Sequence, residues 1–450
     1  MASYSSSGTV SVRPYVTVDD SATPPSDSHW TARQLLVVGI CFVLNMLDGM
    51  DVLILSYIAP ALSADWQVSP ESLGVVFSAG LAGMAAGGLL IAPLADRYGR
   101  RKLILASLIM MAAAMFGSSI ATSIPELIAS RFVVGIGIGT VLASMAALTA
   151  EYAPEKHRTF AVGFLQAGYP VGATLTGFVV ASHVSTHSWQ AMLFGAALLC
   201  AAAVPVVWLI LPESIAFLLT RQPKGALQKA NRLLASIRQP QRDSLPPLAA
   251  SESRHAGVRG LLSEGRAMST ILLWLAIIFS FMTLYFVISW IPKLAVEAGL
   301  PTSQAIYAGA IYNVGAFVGT SSIGLVAMRF DLRRLIFVYM ALAAAALVMF
   351  GSVAMPLAAT LATAFLIGVF VQGGFNGCYP LAASLYPPEA RGTGIGWAMG
   401  VGRIGAVVGP MLGGFLLAAK VSLPVIFGIF AVPVVLAGMC VSLIRLPKAA

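Results

Sequence analysis

The chain has 450 residues, of which 58% are hydrophobic and only 10% charged, and its formal net charge is +9. A water-soluble domain carries about 25% charged residues, so a soluble enzyme of this length is excluded. The basic surplus is then assigned to loops flanking membrane spans, and no nucleic-acid partner is expected.

Residues 1–32 are rich in Ser, Thr, Pro and Asp and contain no apolar stretch, so they read as a disordered cytoplasmic tail and not as a secretory signal. Twelve apolar runs follow, at about 34–58, 72–94, 102–122, 126–150, 159–181, 190–211, 270–291, 303–327, 333–353, 356–380, 393–418 and 422–444. They are numbered here as spans one to twelve. Twelve crossings of about 20 residues need about 240 apolar residues, which the composition supplies. The predicted fold class is therefore all-α integral membrane, with twelve transmembrane helices. An even number places both termini on one side, and among the 27 Lys and Arg only Arg131, Lys293, Arg403 and Lys420 fall outside the segments on that side. The tendency of basic residues to stay inside makes that side the cytoplasm.

The longest polar stretch, residues 213–268, separates six spans from six. It reads as a basic cytoplasmic linker beside membrane lipid. It divides the chain into a first bundle at 33–212 and a second at 269–446, with a short tail at 447–450. Cys41, Cys200, Cys378 and Cys440 all fall in spans, where they read as packing residues. No metal spacing and no cofactor motif is present, so neither a metal nor a cofactor is expected.

The two bundles echo each other. Pro154, Arg158, Gly163 and Gly172 return as Pro387, Arg391, Gly396 and Gly405. The loop Asp96-Arg97-Tyr98-Gly99-Arg100-Arg101 has a weaker counterpart from Gly324 to Arg334, in which Met328 stands where Asp96 would be. Two six-helix repeats related along the membrane normal are a transporter architecture with its site at the interface near mid-membrane.

Ionisable groups within a span are costly and mark functional sites by default. Asp48 and Asp51 of span one lie at i, i+3 and nearly share a helix face. Two carboxylates in a low dielectric cannot both stay ionised without help. One of the pair is expected to load and release a proton, in a coupled titration; the alternative is that one Asp simply pairs with a neighbouring helix. Arg131 of span four comes to a similar height as Asp51, either as a permanent partner or as part of proton coupling. Arg403 stands about 18 Å along its helix from Arg391. Its half has no comparably deep acid, so a substrate carboxylate held by the planar guanidinium is expected, with a cross-pairing to Asp48 or Asp51 as the alternative. Gln372, Asn376 and the aromatic residues Phe279, Phe281, Tyr285, Phe286 and Trp290 are candidates for an apolar pocket with a few polar groups. His183 and His187 lie in an outer loop and read as solvated.

The loop Asp96 to Lys102, the pair Glu151 and Arg158 around Tyr152-Ala153-Pro154, and Leu211-Pro212-Glu213-Ser214 resemble signatures of the major facilitator superfamily. The motif Asp48-Gly49-Met50-Asp51 with Tyr57-Ile58-Ala59-Pro60, and the block Asn376 to Gly414, are similar to its aromatic acid:proton symporter family. The resemblance covers all twelve spans. It implies a proton-coupled importer of a small aromatic carboxylate in the bacterial inner membrane, not an enzyme. It also implies gating by Asp96, Arg97, Arg100, Glu151, Arg158 and Arg391, with Asp96 meeting the start of span eleven when the carrier faces outward. Ala92 departs from the loop signature, and Met328 leaves its second copy without the acid, for which Asp331 is a candidate. Other readings are proton-linked uptake of another organic acid or a sugar, which would favour several Asn and Gln over an intramembrane Arg, or a membrane substrate sensor.

Overall fold

A computed structural model describes residues 30–246, 261–262, 265–353 and 355–445. Most of the expected N-terminal tail, the middle of the linker and the expected C-terminal tail lie outside the described residues. Twelve helices are long and apolar enough to cross a membrane: Ala32–Trp66, Pro70–Tyr98, Arg100–Ser119, Ile124–Tyr152, Phe160–His183, Trp189–Ile210, Ala267–Glu297, Thr302–Val326, Leu332–Ser352, Leu357–Leu385, Ala390–Ala418 and Leu423–Leu443. They correspond one to one with the twelve apolar runs.

Several helices outrun their apolar stretches because capping chemistry, and not the hydrocarbon boundary, ends them. Span one begins at a capping box, in which the Thr31 side chain accepts from the Gln34 N–H and the Gln34 side chain accepts from the Thr31 N–H. It ends on Gln67 in a left-handed conformation. Span two is irregular towards its end. Pro93 supplies no N–H, and the chain passes through a π turn at Gly87–Ile91 and a 3-10 turn at Ala92–Leu94 before the last helical turn, Ala95–Tyr98. Two short helices, Ile215–Arg221 and Ala226–Ser236, open the linker.

The repeat noticed in the sequence has a packing cause. A side chain at Gly172 of span five would collide with the carbonyl of Met46 in span one, and one at Gly405 of span eleven would collide with the carbonyl of Ile278 in span seven. The same helix pair is brought into backbone contact by the same glycine in each bundle.

The bundles touch each other mainly at the ends remote from the chain termini. There the Ser56 hydroxyl donates to the carbonyls of Ile288 (2.7 Å) and Ser289 (2.9 Å). Ser78 donates to the carbonyl of Val407 at 2.7 Å. The Asn313 amide donates to the Tyr57 hydroxyl at 3.3 Å. Towards the termini the same helix faces separate. Gly414 of span eleven packs on Pro70 and Gly74 of span two and Gly400 still meets the Leu89 side chain, but Gly396, about five turns from Gly414 on the same face, looks onto open space. On span five, Gly177 packs on Ala310, whereas Gly163, below it on nearly the same face, meets nothing. The bundles are clamped at the far side and splayed on the side of the termini.

Candidate functional site

Span one carries its two acids into different surroundings. Asp51 is fully buried within the first bundle, where the Cys200 thiol of span six donates to its carboxylate oxygens at 3.5 and 3.7 Å. Cys200, expected as a packing residue, thus has a polar partner. Arg131 of span four is also buried, and one of its amino groups donates to Asp51 at 2.6 Å. The acceptor is the backbone carbonyl and not the carboxylate. The other amino group reaches the Met115 sulfur at 3.3 Å, and Nε has no hydrogen-bond partner. Asp48, one turn away, is 5% exposed and its Oδ1 is buried without a partner. The charges acting on it are Arg403 of the opposite bundle and Asp51.

Arg403 lies half-buried in the middle of span eleven. It donates to the Tyr285 hydroxyl at 3.1 Å and stands 5.5 Å over the ring of Phe281, both on span seven. No carboxylate of the described residues closes a salt bridge with it; its interaction with Asp48 acts across a gap. Phe281 packs on Phe375 of span ten at 4.5 Å between ring centres, and Phe375 on Tyr379 at 5.7 Å. An arginine is therefore presented at mid-membrane beside a wall of aromatic rings.

The other candidates for the pocket separate. Phe286 stacks on Phe430 at 3.6 Å within the second bundle, while the Trp290 indole donates to the Pro410 carbonyl at 3.0 Å and packs edge-on against Phe77 of span two in the first bundle, with ring centres 5.4 Å apart. Phe279 is half-buried against the core. Asn376 donates to Thr320 of span eight at 2.6 Å, and Gln372 is half-buried one turn earlier. His183 is not in the outer loop but is the last residue of span five, and it lies exposed next to His187 of the loop that follows. Among the described residues no group of three or more His, Cys, Asp or Glu could hold a metal.

A second constellation stands on the side of the termini. Arg100 pairs with Glu151 at the end of span four and, at 3.6 Å, with Asp96 in its own loop. Ser214 donates to Glu151 at 2.8 Å, and Glu213 accepts from the backbone N–H groups of Arg101 (3.0 Å) and Ser214 (2.9 Å). Arg221 donates to the Asp96 carbonyl at 3.0 Å, and Arg97 lies over the ring of Tyr98 at 5.4 Å. The Asp96 side chain is 74% exposed and its contacts stay within the first bundle. Arg158 and Arg391, repeat-related, are both exposed on this side. Asp331 caps span nine instead: it accepts from the Arg334 N–H at 3.1 Å and pairs with Arg333 at 3.4 Å. The backbone N–H groups at that helix start, and then Arg333, hold its carboxyl below the usual range.

Spacing did not reveal Cys200, Phe375, Tyr379, or the cross-bundle contacts of Ser56, Ser78, Tyr57 and Asn313. Only the polarity of Tyr57 and Asn313 inside apolar runs was a signal.

The profile of the Major Facilitator Superfamily matches residues 41–327 and 273–450. The chain is 30% identical to the gallate transporter of Pseudomonas putida over 91% of both proteins. It is also 30% identical to the 4-hydroxybenzoate transporter PcaK of Pseudomonas aeruginosa over 88% of both. Among solved structures it is similar to the partially occluded inward-open form of the xylose transporter XylE from E. coli. That match has a TM-score of 0.73 and 19% identity, and covers 93% of this chain and all of that one.

Proposed function

The chain belongs to the major facilitator superfamily, and from that premise we propose that it imports a small aromatic carboxylate together with protons, by alternating access. The setting is the bacterial inner membrane, with both termini in the cytoplasm, so the splayed side faces inward. The observation that carries this reading is Arg403, held at mid-membrane by Tyr285 and Phe281 and paired with no carboxylate of the described residues. A guanidinium at that depth is costly unless compensated. A substrate carboxylate offers two parallel charge-assisted hydrogen bonds, and the rings of Phe281 and Phe375 flank the space beside it. The aromatic acids named for the relatives have this chemistry.

The energetics and the surroundings of the acids support proton coupling. An anion entering a negative-inside cell is opposed by about 2.3 kcal/mol per charge at 100 mV. One proton per monoanion removes that opposition. Asp48 shares the field of Arg403, so an arriving carboxylate competes with it for the same cation, and a proton on Asp48 ends the competition. Asp51, behind it with Cys200 and Arg131, is the second member of the coupled pair. Sugar uptake is the weaker reading, because Asn376 is engaged by Thr320 and the centre holds an arginine in place of several amides.

The test is competition for binding in purified protein, using labelled 4-hydroxybenzoate. Unlabelled aromatic acids should displace it, whereas xylose and the neutral amide of the same acid should not. Displacement by the amide at the same concentration as by the acid would overturn the carboxylate assignment.

A further inference from the structure

We infer that Tyr169 of span five and Tyr312 of span eight, with the free oxygen of Asp48, recognise a hydroxyl group on the substrate ring, so that the carrier selects ring-hydroxylated aromatic acids over the unsubstituted acid. This rests on the proposed binding of the carboxylate at Arg403. The hydroxyl oxygens of Tyr169 and Tyr312 and Oδ1 of Asp48 are all buried and have no hydrogen-bond partner among the described residues. Tyr312 is 1% exposed. An unpaired buried polar atom is an exception in a folded protein, and three on helices that pack in series, spans one, five and eight, mark a place where a ligand completes the network.

Their electrostatic neighbours group them around Tyr285. Tyr285, the residue bonded to Arg403, acts electrostatically on both Tyr169 and Tyr312, and Tyr169 also feels Asp48 and Tyr57. Tyr169 and Tyr312 also act on each other, so the two phenols stand in one neighbourhood with Tyr285. An aromatic acid with its carboxylate on Arg403, beside Tyr285, brings its ring substituents into the neighbourhood of these two phenols. A ring hydroxyl both donates and accepts, so it can donate to Asp48 and accept from a tyrosine. An unsubstituted ring leaves all three atoms unpaired, and a site built to bond a substrate hydroxyl discriminates strongly against an analogue lacking it. Tyr312 adjoins Asn313, which bonds Tyr57 across the bundles, so the same contact would report the filled site to the clamp.

The experiment measures inhibition constants of benzoate, 3-hydroxybenzoate, 4-hydroxybenzoate and 3,4-dihydroxybenzoate against labelled 4-hydroxybenzoate in proteoliposomes. It uses the wild type, Tyr169→Phe and Tyr312→Phe. In the wild type at least one hydroxylated acid should bind about tenfold or more tightly than benzoate, the scale of one unmade buried hydrogen bond. In each Phe variant that ratio should shrink several-fold, through loss of affinity for the hydroxylated acid. Benzoate binding as tightly as every hydroxylated acid in the wild type overturns the inference and leaves the carboxylate site standing. An unchanged ratio in both Phe variants likewise removes these tyrosines from the recognition. If no aromatic acid competes at all, the underlying reading fails as well. The wild-type ratio is decisive even where a variant does not fold.

Discussion

At the residue scale, the centre of the protein is a set of charges kept apart. Arg403 donates to a phenol and pairs with no carboxylate of the described residues, while Arg131 bonds a backbone carbonyl and a sulfur. Arg403→Lys keeps the charge but loses the planar fork. It should weaken binding of the acid by at least tenfold, with Arg403→Ala at least as severe, as measured by displacement of labelled substrate from folded, membrane-inserted protein. Wild-type affinity in Arg403→Lys would refute the clamp. Asp51→Asn should abolish accumulation driven by a pH gradient and retain substrate exchange, since exchange needs no deprotonation. Normal accumulation in both Asp51→Asn and Asp48→Asn would refute proton coupling at this motif. The depth of these groups was legible in the sequence, because ionisable residues inside apolar runs stand out. Their partners were not. Spacing of i, i+3 turns a helix by about 300°, so Asp48 and Asp51 differ by about 60°, enough for one to face Arg403 and the other Cys200.

At the scale of elements, hydrophobic runs located all twelve helices because crossing hydrocarbon leaves little choice of composition. Helix ends were less legible, since they depend on local caps such as Thr31 and Asp331. The glycine repeat was visible as a pattern, but which neighbour each glycine approaches depends on the three-dimensional arrangement. Gly172→Leu should break the contact of spans one and five and destabilise the protein by about 1–3 kcal/mol or more, as for overpacking in a core. Gly163→Leu, nine residues earlier and facing open space, should be nearly neutral. Thermal unfolding of the two purified variants compares them directly, and equal losses would contradict the assigned packing.

At the scale of the whole molecule, the present form is held by neutral hydrogen bonds on one side and released on the other. Ser56, Ser78 and Asn313 bridge the bundles, each bond worth about 0.5–1.5 kcal/mol net, while the Asp96 side chain pairs only with Arg100 of its own bundle among the described residues. A Ser56→Ala and Ser78→Ala double variant should shift the population towards opening at the clamp and raise maleimide labelling of an Ala310→Cys probe. Asp96→Asn should shift it the other way and raise labelling of a Gly396→Cys probe, because the acid is the group expected to meet span eleven when that side closes. Unchanged labelling of both probes would rule out these gates. The central claim, that an aromatic carboxylate travels with protons, is tested most directly by uptake of labelled 4-hydroxybenzoate into proteoliposomes with pH and voltage set separately. The account predicts accumulation above the external concentration with an acidic exterior at zero voltage, abolished by a protonophore. Uptake that only equilibrates, regardless of the pH gradient, would contradict it.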